Sequence, residues 1–194
     1  MVDNLNLILP FLKFESKDNF YYLQILQRKK ENSQLGSNSR VIKNYYINSE
    51  EYLIKHYDEI KKLCEIFNAR ASIRLNKRSY EKVGYKALVN IANTISNREF
   101  EFLKASYDRA CGLGHNDSEK KWILDIDGMM TYNEIFKMEE IIERAEPTDK
   151  EIIVYLPSKS GLHLITKPFD LREFTTLYPE IEIHKDNPTN LYIP

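Results

Sequence analysis

Residues 122–130, WILDIDGMM, end an apolar run with two carboxylates two positions apart. Side chains on a strand alternate sides, so Asp125 and Asp127 would share one face. Two anions that close repel unless a cation or a proton sits between them. Further along, PSKSGLH (157–163) offers Ser158, Lys159 and Ser160 in a turn, with His163 on the strand that follows, and IHKD (183–186) ends on a third acid, Asp186. Carboxylates alone supply only oxygen ligands, which suit hard divalent ions such as Mg²⁺ or Mn²⁺. Such ions arrive with substrate phosphates, and a pair of them can stabilise both the attacking and the leaving oxygen in phosphoryl transfer. The turn's backbone N–H groups, two hydroxyls and an ammonium suit a phosphate chain, and His163 is placed to donate to one of its oxygens.

These residues need strands to aim them. KWILDID reads as a strand and TYNEIFKMEEIIERA as a helix with Thr131 at its cap; EIIVYLPS and GLHLITKPF are strands around SKSG. DLREFTTLYP is then a helix and EIEIHKD a last strand. That β-α-β-β-α-β order predicts a ferredoxin-like or RNA-recognition sheet, in which the first and third strands lie side by side at the centre. Alternation turns Leu124, Ile126, Leu162, Leu164, Ile181 and Ile183 toward the helices. It leaves Asp125, Asp127, His163, His184 and Asp186 on the open side. Three carboxylates and a histidine are thus expected to converge, with His184 at the rim, in a cleft against the N-terminal part of the chain.

The rest of the sequence frames that cleft. Its 194 residues are long enough to bury a real core. No apolar run approaches the roughly 20 residues that span a bilayer, so no membrane partner is expected. The start lacks a basic segment with a cleavage site, and two cysteines, Cys64 and Cys111, cannot build a disulfide framework. The expected compartment is the cytoplasm. FYYLQILQRKK and RVIKNYYIN read as two strands, Ser49 caps a helix, ARASIRLN is a short strand and Ser79 caps a second helix. A further helical segment, 97–112, would close on Gly112. A boundary near residue 115 divides an N-terminal α/β module (1–115) from the βαββαβ module (116–194), the two packing as one compact α+β domain. The chain's net charge is −1, but residues 69–86 carry Arg70, Arg74, Lys77, Arg78, Lys82 and Lys86 against Glu81 alone. A basic run on an otherwise acidic chain is a local footprint for phosphate. Arg74, Asn76 and Arg78 fall at strand spacing on one side, which points to a directed use.

The ordered set ILDID, SKSGLH and IHKD resembles the three signatures of the archaeo-eukaryotic primase superfamily. Those are an hhhDxD motif, an S-x-H or S-G-x-H motif and a hydrophobic-Asp motif on successive elements of an RNA-recognition-like core. The closest branch is that of the primase-polymerases and the polymerase modules of end-joining ligases. The resemblance implies a template-dependent nucleotidyltransferase working by two-metal phosphoryl transfer from nucleoside triphosphates. It implies that Asp125, Asp127 and Asp186 are catalytic metal ligands for Mg²⁺ or Mn²⁺. It implies too that Ser160 and His163 bind the triphosphate; the chemistry of the turn adds Ser158 and Lys159 to them, and the basic run puts Arg74 and Arg78 on phosphates of the nucleotide or of a DNA or RNA template. Beyond these three motifs the match is architectural, and neither an appended helical domain nor a zinc module is expected. Cys111 and His115 have no second ligand pair. A helicase or other replication proteins would supply what so small a chain lacks.

Two other classes fit some of the residues. DIDGMMT looks like the D-x-D-G-T motif of haloacid-dehalogenase-type phosphatases, with Asp125 as nucleophile. Met129 stands where that motif has Thr, however, and no later acidic pair completes its magnesium site. A non-catalytic RNA-recognition-like module would stack bases on aromatics of the central strands, where this chain has aspartates.

Overall fold

The computed structural model describes residues 1–36, 38–113, 119–128, 130–147 and 152–194. His115, the expected boundary near it and Met129 lie outside the described residues. The chain forms a mixed α+β structure with two antiparallel sheets. In order, the elements are β1 (Val2–Asp3), α1 (Leu5–Ile8), β2 (Asn19–Gln27), β3 (Arg40–Ile47), α2 (Glu50–Phe67), β4 (Arg70–Ile73) and β5 (Arg78–Ser79). There follow α3 (Tyr80–Ser96), α4 (Ser106–Leu113), β6 (Trp122–Asp127), α5 (Tyr132–Arg144), β7 (Ile152–Pro157), β8 (Gly161–Thr166), α6 (Leu171–Leu177), β9 (Glu182–His184) and β10 (Thr189–Ile193).

The first sheet runs β1-β10-β4-β2-β3, with β5 beside β2. Alternation along β2 sorts its two faces. Tyr21, Leu23 and Ile25 pack with Leu53, Tyr57, Ile60 and Cys64 of α2, while Phe20 and Tyr22 pack with Val83, Ala87, Ala110 and Cys111 of α3 and α4. Helix α2 starts where Ser49 Oγ accepts the Tyr52 N–H at 3.1 Å, and it ends at Asn68, whose φ of 45° is the left-handed cap. The segment before α4 differs from the expected continuous helix. Residues 100–105 form a 3₁₀ turn, and Gly112 lies inside α4 rather than capping it.

The second sheet runs β7-β8-β6-β9. Leu124, Ile126, Leu164 and Ile181 bury against Met138, Ile141 and Ile142 of α5 and Phe174 of α6. Thr131 and Glu134 form a reciprocal capping box at the start of α5. The opposite face of this sheet is graded along its length. Ile123, paired with Ile165, is buried in the same cluster as Leu23, Ile25 and Leu191 of the first sheet. One register step on, the Asp125 side chain is 32% exposed beside His163; two steps on, Asp127 is exposed beside Gly161. The two sheets therefore share a core at one end and part at the other, leaving a wedge.

Two asparagines fix the opening of that wedge. Asn4 Nδ2 donates to the carbonyls of Pro157 and Asn190, each at 2.9 Å. Asn76 accepts the Lys121 N–H at 2.7 Å and donates to the Lys121 carbonyl at 3.0 Å. Strand β10, which the sequence reading lacks, pairs with β4 and β1, so residues 189–193 return to the first sheet although they lie past the boundary near 115. Among the described residues no helix is long and apolar enough to cross a membrane.

Candidate active site

The wedge encloses a cleft of 640 Å³. Asp125 and Asp127 line it from β6, His163 from β8, and Ser158, Lys159 and Ser160 from the turn between β7 and β8. Six of the nine expected site residues thus meet in one place. Arg70, Ser72 and Asn190 of the first sheet, with Arg28 just past the end of β2, form the facing wall.

The turn is tightly knit. Ser158 N–H donates to the Gly161 carbonyl at 2.9 Å, Gly161 N–H to Ser158 Oγ at 3.1 Å, and Gly128 N–H to the Ser160 carbonyl at 2.9 Å. Gly128 has a φ of 85°, a backbone state that favours glycine, so its place after Asp127 has a local geometric cause. Ser160 Oγ donates to Asp127 Oδ1 at 3.1 Å, tying turn to strand. At Gly161 the strands come so close that a Cβ would sit 1.9 Å from the Ile126 carbonyl oxygen. Gly161→Ala is therefore expected to spread β6 from β8 and cost about 1–3 kcal/mol, as overpacking does. Urea unfolding of the variant measures it, and an unchanged midpoint would show that the strands have room.

His163 is held from both sides. Its Nδ1 lies 2.8 Å from Thr189 Oγ1, and its Nε2 lies 3.3 Å from Asp125 Oδ1. Burial pushes its pKa below the ordinary histidine value, against the pull of the Asp125 carboxylate, so near neutral pH the imidazole is uncharged. Thr189 comes from β10, which is how the first sheet orients a side chain of the second. Two further residues belong to this group. Glu182 pairs with Asp125 across β6 and β9, and His184 Nε2 lies 3.3 Å from Glu182 Oε2 and 4.0 Å from Asp125 Oδ2. Both line the cleft. The alternation that turns His184 outward also turns Glu182 outward, so this acid was open to sequence reasoning.

Asp186, Arg74 and Arg78 do not line the cleft; they meet one another. Arg78, fully buried, grips Asp186 with Nη1 at 3.1 Å from Oδ1 and Nη2 at 2.8 Å from Oδ2. Asn76 Nδ2 donates to Asp186 Oδ1 at 3.3 Å, while Arg74 Nη1 donates to the Asp186 carbonyl and lies 3.6 Å from Oδ2. The one-sided spacing of 74, 76 and 78 is real, but what these side chains converge on is a carboxylate of the chain itself. The basic run is likewise no single patch, since Arg70 pairs with Glu31 and Lys77 with Glu15. Cys64 and Cys111 are both free and buried.

Two of the three expected acids therefore share the cleft. Among the described residues no group of three or more His, Cys, Asp and Glu side chains stands arranged to hold a metal ion. Asp125 and Asp127 still fit a cation of the Mg²⁺ kind, which is commonly held by one or two carboxylates with phosphates and water completing its shell. A three-carboxylate centre that includes Asp186 does not fit. The chain matches no protein-family model, no curated protein and no solved structure.

Proposed function

We propose that the protein is a template-dependent nucleotidyltransferase of the primase-polymerase type. The observation that carries this is the meeting, in one cleft, of Asp125 and Asp127, the Ser158–Ser160 turn and His163. The order β6-α5-β7-β8-α6-β9, with β8 and β6 central in the sheet, supports a ferredoxin-like core of the RNA-recognition kind. On the face where such modules stack bases, this chain presents carboxylates and imidazoles, which favours phosphate chemistry over base stacking.

In this reading Asp125 and Asp127 hold a divalent cation, Mg²⁺ or Mn²⁺. When bound, that ion supplies charge neutralisation and orientation for the triphosphate. Ser158, Lys159 and Ser160 bind phosphate oxygens at the turn. His163, fixed by Thr189, presents Nε2 beside Asp125 and donates to an oxygen of the reacting phosphate. Nucleoside triphosphate and a DNA or RNA template would enter where the sheets part, at the Asp127 end of the cleft. Helicases and other replication proteins are the proposed partners. Arg74, Arg78 and Asp186 act here by holding the two sheets together.

A primed template incubated with Mn²⁺ and labelled nucleotides is expected to yield stepwise longer products. Phosphate release from small phosphomonoesters, with a beryllium-fluoride adduct on Asp125, would replace this reading with that of a phosphatase. Template binding with no extension and no nucleotide binding would leave a nucleic-acid-binding module.

A further inference from the structure

Glu31 sits at the end of the 3₁₀ turn Lys29–Glu31, just beyond β2. It makes two ionic contacts from opposite walls of the wedge. Arg70 of β4 donates from Nε to Oε2 at 2.9 Å and from Nη2 to Oε1, a bidentate fork. Lys159, from the turn between β7 and β8, donates to the same Oε1 at 2.7 Å. Glu31, Arg70, Ser160, Asp125 and Asp127 all line a cavity of 410 Å³, and Arg70, Ser160 and both aspartates also line the main cleft. The carboxylate thus lies inside the site, on the cation that the phosphate-binding turn contributes.

A guanidinium fork fits a carboxylate and a phosphate alike, and an ammonium accepts either as a point charge. We propose that Arg70 and Lys159 form an anion subsite for a polyphosphate ligand, which Glu31 fills until the ligand displaces it. This rests on the nucleotide reading of the cleft and adds to it Arg70, from the first sheet, together with a resident competitor.

Three observations support displacement as the means of opening. The Arg70 side chain is 10% exposed and Glu31's is 15%, so their pair is largely shielded, whereas Lys159 at 57% is free to swing with an incoming anion. Burial alone would raise the Glu31 pKa, yet hydrogen bonds and charge from Arg70 and Lys159 hold it at about 2. At any ordinary pH Glu31 is an anion, and only another anion takes its place. Finally, Arg28 and Lys30 line the same cavity as Glu31, so a ligand that displaces it meets two further cations on that side, facing the acids Asp125, Asp127, Glu180 and Glu182.

Calorimetric titration of the full chain with sodium tripolyphosphate, at fixed ionic strength and without divalent metal, tests this directly. Glu31→Gln keeps the shape and one acceptor but removes the competing charge. It is expected to bind tripolyphosphate about tenfold more tightly than the native chain, the worth of one charge-assisted hydrogen bond. Glu31→Asp, which withdraws the carboxylate by one methylene and keeps the Arg70 pair charged, should show a smaller gain and serves if the glutamine variant fails to fold. Adding Lys159→Ala to either should abolish the gain. Binding by both Glu31 variants no tighter than native overturns the subsite. The titration needs neither nucleotide nor template. A gain without primer extension would leave the subsite standing and remove the polymerase reading, and extension without a gain would do the reverse.

Discussion

Asp186→Asn is expected to cost the metal-free protein about 3–5 kcal/mol, the penalty for removing one partner of a buried ion pair. That is a large part of the roughly 5–15 kcal/mol that keeps a domain folded. The cause is Arg78, whose side chain is 0% exposed and whose Nη1 and Nη2 both end on the Asp186 carboxylate. An asparagine offers one oxygen and no charge, and leaves a guanidinium without its counterion in a place water does not reach. Arg74 gains nothing from the exchange. Its Nε is already buried with no hydrogen-bond partner among the described residues, and burial already lowers its pKa, with the Asp186 charge working the other way. Urea unfolding with a chelator present measures the loss. The double variant Arg78→Met with Asp186→Leu should recover most of it, because replacing both members of a buried pair by apolar groups of similar volume is often neutral. The opposite pattern, native stability without metal but lost metal-dependent turnover, would return Asp186 to the role of third metal ligand that the primase resemblance implies.

Asp186 also shows where sequence pattern stops being informative. Alternation on β6 and β8 depends only on which side chains bury under α5 and α6, and it placed Asp125, Asp127 and His163 on a common face. The same rule predicts an outward Asp186, but β9 ends at His184. Two residues past the last ladder hydrogen bond the chain no longer alternates, and Asp186 turns to Arg78. Glu182, inside β9 and opposite Asp125, is the acid for which the rule holds. Caps and amphipathic helices were legible for a related reason, since Ser49, Ser79 and Thr131 act on residues three positions away. Strand β10 was not, because its partners are Val2–Asp3 and Ala71–Ile73 and nothing local in five residues marks that pairing. With β10 went Thr189, the residue that holds His163, and with the ion pairs went Glu31, which no periodicity connects to Arg70.

Asp127 and His163 are expected to fail differently, as a cleft with separate metal and phosphate ends requires. Asp127 is exposed and its one described side-chain contact is Ser160 Oγ, so Asp127→Asn should leave the fold intact. It removes a charge from a site that has only two carboxylates on β6 to offer. Metal affinity and turnover should fall together, by about 100-fold or more, since even the loss of an outer-shell partner costs about 10- to 100-fold. Raising Mn²⁺ should restore part of the turnover by mass action. His163→Ala keeps both aspartates and removes the donor that Thr189 orients. Nucleotide affinity should drop about 10- to 150-fold, the equivalent of about 1.5–3 kcal/mol for a hydrogen bond to a charged group. Because His163 Nε2 also meets Asp125 at 3.3 Å, metal affinity should weaken too, but by far less than in Asp127→Asn. Calorimetry with Mn²⁺ alone, then with nucleoside triphosphate at saturating Mn²⁺, separates the two effects. If both variants fold and bind metal and nucleotide as the native chain does, the open end of the wedge is not the site, and the Asp125–Asp127 pair is a solvated strand end.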